Sequence, residues 1–134
     1  MAKKPTLPDS EKITINLGHV DLGHIDLLVQ EGFFSNRTDF IRTAIRSHLE
    51  RHQDAVRQSL SRRQLDIGLR RFTRKDLEAV EATGDTLSVR VLGLAIIDPD
   101  VSAELARATL LSLEVLGALQ ASPEVRDALR DRII

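Results

Sequence analysis

One seven-residue pattern recurs in this chain twenty-four residues on, changed at two positions. Leu87-Ser88-Val89-Arg90-Val91-Leu92-Gly93 is echoed by Leu111-Ser112-Leu113-Glu114-Val115-Leu116-Gly117. The agreement continues downstream, with Pro99 matching Pro123, Val101 matching Val125 and Leu105 matching Leu129. Each copy reads as an apolar strand, then a cap and a proline (Asp98-Pro99, Ser122-Pro123), then a short helix, with the proline well placed at the first helical position. A shorter version precedes both: Leu65-Asp66-Ile67-Gly68-Leu69 as strand, Thr73 as cap and Arg74 to Thr83 as helix. Successive β-α units dictate parallel strands with right-handed crossovers. Strands as apolar as Val89 to Ile97 want cover on both faces. The few short helices of one chain cannot supply it, so residues 64–134 are expected to complete their core by self-association.

The upstream half has a different period. Lys12-Ile13-Thr14-Ile15-Asn16-Leu17 alternates strictly, placing Ile13, Ile15 and Leu17 on one side and Lys12, Thr14 and Asn16 on the other. Period two with β-branched residues reads as a half-buried strand. Leu22, Ile25, Leu28 and Val29 then recur at helical spacing between Asp21, a candidate cap, and Gly32, a candidate left-handed residue past the end. Phe33 and Phe34 make a turn with large apolar anchors. Ser35 looks like the cap of a second helix, with Asp39 in its first turn. From Asn36 no Gly or Pro intervenes until Gly68, and Phe40, Ile41, Ala44, Ile45, Leu49, Val56 and Leu60 keep a three-to-four spacing. That helix either runs unbroken to about Arg62 or breaks near His52.

A strand, a short helix, a turn and a capped second helix resemble the ribbon-helix-helix family of Arc, MetJ and CopG repressors. The resemblance covers Glu11 to about His52, and its most specific stretch is Gly32-Phe33-Phe34-Ser35-Asn36-Arg37-Thr38-Asp39-Phe40-Ile41-Arg42. It implies that the strands of two chains pair antiparallel and enter the major groove of double-stranded DNA, which accepts a two-stranded ribbon. Carried over position by position, Lys12, Thr14 and Asn16 would face bases. Ile13, Ile15, Leu17, Ile25, Phe40, Ile41 and Ile45 would form the dimer core. Ser35, Asn36, Arg37, Thr38 and Arg42 would lie at phosphates, where free backbone N–H groups and the helix dipole favour an anion. The expected fold class is therefore α+β. A flexible arm (1–10) leads into a dimeric β-α-α domain (11–52), a helical connector (53–63) and a β-α repeat domain (64–134) that assembles dimers into a higher homo-oligomer.

Charge supplies little of this. The net charge is −1, with +1 on residues 1–62 and −2 on residues 63–134, so DNA binding must come from placed groups rather than bulk attraction. Four Phe, no Trp and no Tyr argue against a stacking platform for single strands or RNA. The absence of Cys removes disulfides, thiolate metal sites and Cys nucleophiles. Residues Met1 to Pro5 show no apolar leader and no run is long enough to span a membrane, so a soluble, cytoplasmic protein is expected.

His48 and His52 are four apart, a spacing able to hold a metal. Some ribbon-helix-helix repressors sense nickel through His and Cys in a C-terminal domain, but after His52 this chain has neither. No metal, no cofactor and no enzymatic activity are expected. His19 and His24 read as surface or packing residues. Arg70-Arg71-Phe72-Thr73-Arg74-Lys75 is a basic cluster, and Lys3 and Lys4 either reach phosphates or merely solubilise the arm. The expected function is sequence-specific DNA binding as a dimer or dimer of dimers, most often repression. Two alternatives stay open: an antitoxin gripping a toxin through its C-terminal part, and a self-assembling scaffold tethered to DNA.

Overall fold

A computed structural model describes residues 10–134; the expected arm, with Lys3 and Lys4, lies almost wholly outside them. The chain divides between Gln58 and Ser59 into two compact units.

The first unit holds α1 (His19–Gln30) and α2 (Arg37–Arg51), and α3 (Gln53–Arg63) begins in it. Residues 11–18 form no ladder with any described strand. The expected strand is thus absent from the single chain, for a physical reason: a strand needs a partner edge for its N–H and C=O groups, and this unit contributes only helices. The first helix starts three residues earlier than a cap at Asp21 implies. Gly18 (φ −64°, ψ 152°) is the residue before it, and Asp21 lies in the first turn instead of capping. At its other end Gly32 adopts φ +85°. Gly32 N–H donates to Val29 and Phe33 N–H to Leu28, the paired bonds of a glycine-terminated helix.

α2 and α3 are two helices rather than one. His52 departs from helical geometry (φ −102°, ψ 12°), and its ring Nδ1 lies 3.0 Å from the His48 carbonyl. Neither proline nor glycine marks that break.

The second unit is a β-α repeat. β1 (Asp66–Phe72), α4 (Arg74–Ala82), β2 (Leu87–Ile97), α5 (Ala103–Thr109), β3 (Leu110–Gln120) and α6 (Pro123–Ala128) follow in order. The strands form a parallel sheet ordered β1-β2-β3. Ser88 lies beside Ser112, Leu92 beside Leu116 and Gly93 beside Gly117, so the offset of the repeat is the register of the sheet. Thr73 caps α4 in a reciprocal capping box with Asp76, and Ser122 caps α6 ahead of Pro123. The middle repeat differs from expectation. Asp98 and Pro99 belong to a turn closed by Val101 N–H on the Asp98 carbonyl, and Ser102 is the cap of α5.

Leu77, Leu105, Ala106 and Val125 from the helices pack with Phe72, Val89, Val91, Ala95, Ile97 and Leu113 from the strands. All of these strand residues alternate onto one face, so the helices cover that face alone. The expected cover on both faces is supplied only in part by this chain: Ile96, at one end of the opposite face, is 5% exposed. On the opposite face Ile67 is 70% exposed, Leu69 60% and Leu116 42%.

Gly68, Gly93 and Gly117 form a file across the sheet, one per strand, with φ of +121°, +139° and +124°. A Cβ on Gly93 would lie 2.2 Å from the Gly68 carbonyl oxygen, and one on Gly117 2.1 Å from that of Gly93. Only glycine permits both that φ and that approach. Beyond β3, Leu113 N–H donates to Arg132 and Ile134 N–H donates back to Leu113, so residues 132–134 cover the start of the outer β3 edge.

Candidate nucleic-acid interface

The candidate residues fall in two short segments of the first unit. In residues 12–17 the apolar set stays in solvent: Ile13 is 74% exposed, Ile15 60% and Leu17 37%. Lys12, Thr14 and Asn16 are exposed as well. Alternation guarantees that any pairing which buries the first set presents the second.

The second segment is the start of α2. Asn36, not Ser35, is its cap: the Asn36 side chain accepts from Asp39 N–H at 2.8 Å, and the Asp39 carboxylate accepts from Ser35 N–H at 2.9 Å. The two bonds clamp the turn one residue later than the Ser35 spacing suggests. The first N–H groups of a helix have no intrahelical acceptor, so those of Arg37 and Thr38 point out of the helix end. Phe34 meets Phe40 edge-to-face at 5.0 Å, holding the turn against α2.

Arg37 is not idle in the single chain. Its guanidinium donates twice to Asp26, both at 2.8 Å, tying the start of α2 to α1. The hydrogen bond to Arg37 holds the Asp26 carboxyl below its ordinary value of 3.8, and the same bond raises the Arg37 pKa. A depressed carboxylate contributes only while ionised. The link is therefore complete above the ordinary carboxylate range and is lost as pH falls through the lowered Asp26 value. Asp26 is the member of this site that sequence reasoning missed, since nothing in the spacing connects it to Arg37. Arg42 is exposed on α2.

Of the residues assigned to a dimer core, Ile25 alone is buried within the chain (5% exposed). Phe40 and Ile41 are half-buried, and Ile45 is 48% exposed. Val20, Leu27 and Leu49 are also more than half exposed. An isolated unit that leaves this much aliphatic surface in water lacks part of its core.

A model of the ribbon-helix-helix transcriptional regulator family matches residues 8–126. The chain belongs to that family. The match spans most of both units, so the family pattern extends into the β-α repeat. No curated protein and no solved structure matches the chain. Ribbon-helix-helix regulators bind DNA and typically form dimers.

The remaining candidates take structural roles. Arg70 pairs with Asp66 and lies 5.2 Å above the Phe72 ring. Arg71 pairs with Asp98, and Arg74 with Glu78. The basic cluster is thus largely neutralised within the sheet unit. The His48 and His52 rings lie 4.8 Å apart, but among the described residues no three His, Cys, Asp or Glu side chains gather as a metal set. No described helix is long and apolar enough to cross a membrane.

Proposed function

We propose that the chain is a sequence-specific regulator, most simply a repressor, that reads double-stranded DNA as a dimer. Residues 12–17 of two copies pair antiparallel and enter the major groove. The carrying observation is the unpaired segment 12–17, with exposed Ile13, Ile15 and Leu17 alternating with Lys12, Thr14 and Asn16. Asn16 suits adenine and Lys12 guanine, while Thr14 suits a thymine methyl. Ser35, Asn36, Arg37, Thr38 and Arg42 hold phosphates, which fixes the ribbon without reading sequence. DNA binding then requires Arg37 to share or exchange its Asp26 partner for phosphate. The second unit joins copies further, raising apparent affinity by effective concentration where net charge contributes little.

Two substitutions separate the roles. Asn16→Ala should reduce discrimination at one base pair by about 1–3 kcal/mol and leave non-specific binding unchanged. Arg37→Ala should weaken binding to all sequences alike and lower the slope of log affinity against log salt by about 1 per site. Both are read by fluorescence anisotropy on a fragment selected from genomic DNA by the unsubstituted chain. Unchanged discrimination in Asn16→Ala removes that residue from the reading face.

The packed second unit speaks against the antitoxin alternative, in which a C-terminal arm folds on its toxin. Selection yielding a palindromic motif supports the repressor reading, and selection yielding no motif favours a scaffold.

A further inference from the structure

The outer face of the sheet is ordered as well as exposed. Two adjoining rows of the register are wholly apolar, Ile67-Leu92-Leu116 and Leu69-Leu94-Ala118. Charged groups of both signs lie at each end, beside the row Arg71-Ile96-Gln120 at one of them. At one end Arg63 donates to Glu114, with Arg90 4.0 Å from the same carboxylate. At the other Arg71 donates to Asp98 at 2.8 Å.

We propose that this face docks against the same face of a second copy of this chain, the copy already joined through the ribbon. The inference rests on the dimer reading above and adds the surface that closes the second unit.

Charge and area both select that occupant. A two-fold interface brings a surface against itself, so a border of one sign would repel its own image. Here neither end is of one sign: Glu114 lies between Arg63 and Arg90 at one, and Asp98 faces Arg71 at the other. Nucleic acid or a strongly charged protein would find no single-sign field to read.

The apolar patch spans three strands about 4.8 Å apart and roughly five residues of about 3.3 Å, or about 240 Å² per copy. A standard interface buries about 800 Å² per partner. The patch is too small to hold two free copies together. It suffices for copies whose local concentration a tether has raised to about the millimolar range. The ribbon is such a tether, and a parallel sheet with one bare face needs the cover.

The chain has no cysteine, so single thiols report proximity directly. Leu94 sits on the central strand, and packed sheets lie about 10 Å apart, too far for a disulfide but within reach of a short bis-maleimide. In the full chain, Leu94→Cys should cross-link to a covalent dimer at least tenfold faster than Glu81→Cys on exposed α4. Tenfold dilution should not change that rate. Adding Leu69→Lys, at a position 60% exposed in the single chain, should abolish the advantage while leaving the circular dichroism spectrum intact.

Equal rates for Leu94→Cys and Glu81→Cys overturn the proposal. So does a Leu94→Cys rate that falls in proportion to dilution, which would assign the face to contacts between separate assemblies. Failure of the dimer reading itself looks different: the unsubstituted chain is then monomeric by light scattering and shifts no selected DNA fragment.

Discussion

Gly93→Ala should destabilise the sheet unit by about 3 kcal/mol or more, among the largest losses expected from adding a single methyl group to this protein. Two costs combine there. An L-residue at φ +139° is strained by about 1–3 kcal/mol. The added methyl also falls 2.2 Å from the Gly68 carbonyl oxygen, a contact that only backbone movement relieves. Gly68→Ala is the internal control. Its φ of +121° is equally unfavourable, but among the described residues nothing lies within 4 Å of the new methyl. It should lose the strain alone. Urea unfolding followed by far-UV circular dichroism, comparing midpoints at equal slope, resolves the two. Equal losses would mean that the glycine–carbonyl approach contributes nothing.

Ile15→Lys should leave a monomer whose affinity for a selected DNA fragment falls at least a hundredfold. In the single chain Ile15 is 60% exposed, so lysine costs nothing there. In a paired ribbon the position turns inward, where burying a branched aliphatic contributes about 1.5–3 kcal/mol per copy. An unpaired ammonium in the same place costs several more. Thr14→Lys, one residue away and facing outward, should keep the dimer. Light scattering and anisotropy measured on the same samples check both. A DNA-binding Ile15→Lys dimer would show that the two faces of the strand are exchanged.

The repeat was legible because it is both a sequence and a structural period: an offset of twenty-four residues places Leu92 beside Leu116 and Gly93 beside Gly117. Caps were legible where one candidate stood alone, as at Thr73 and Ser122. They were misread at Asp21, which lies inside the first turn of α1, and where a second candidate followed. Ser35 precedes Asn36, and Asp98 precedes Ser102, and in each case the later residue holds the Oγ or Oδ1 that reaches an N–H three positions on. At Asn36, Asp39 decides the matter by also binding Ser35 N–H.

The break at His52 was left open by the sequence because no proline or glycine marks it. The Asp26–Arg37 link joins side chains eleven residues apart, beyond any helical spacing. Alternation divides residues 12–17 into two sets, but the single chain leaves both in solvent, so the structure of one copy does not assign their faces.

The short return of residues 132–134 alongside Leu113 gives the sheet a direction. A parallel repeat with both edges open is a template for endless head-to-tail addition, each copy's last strand receiving the next copy's first. Here the carbonyl and N–H of Leu113 on that last strand are already engaged, while β1 has no such strap among the described residues. Growth by strand addition is thus obstructed on one side only. Any association through the sheet would thereby be steered towards closed, countable assemblies rather than open fibres.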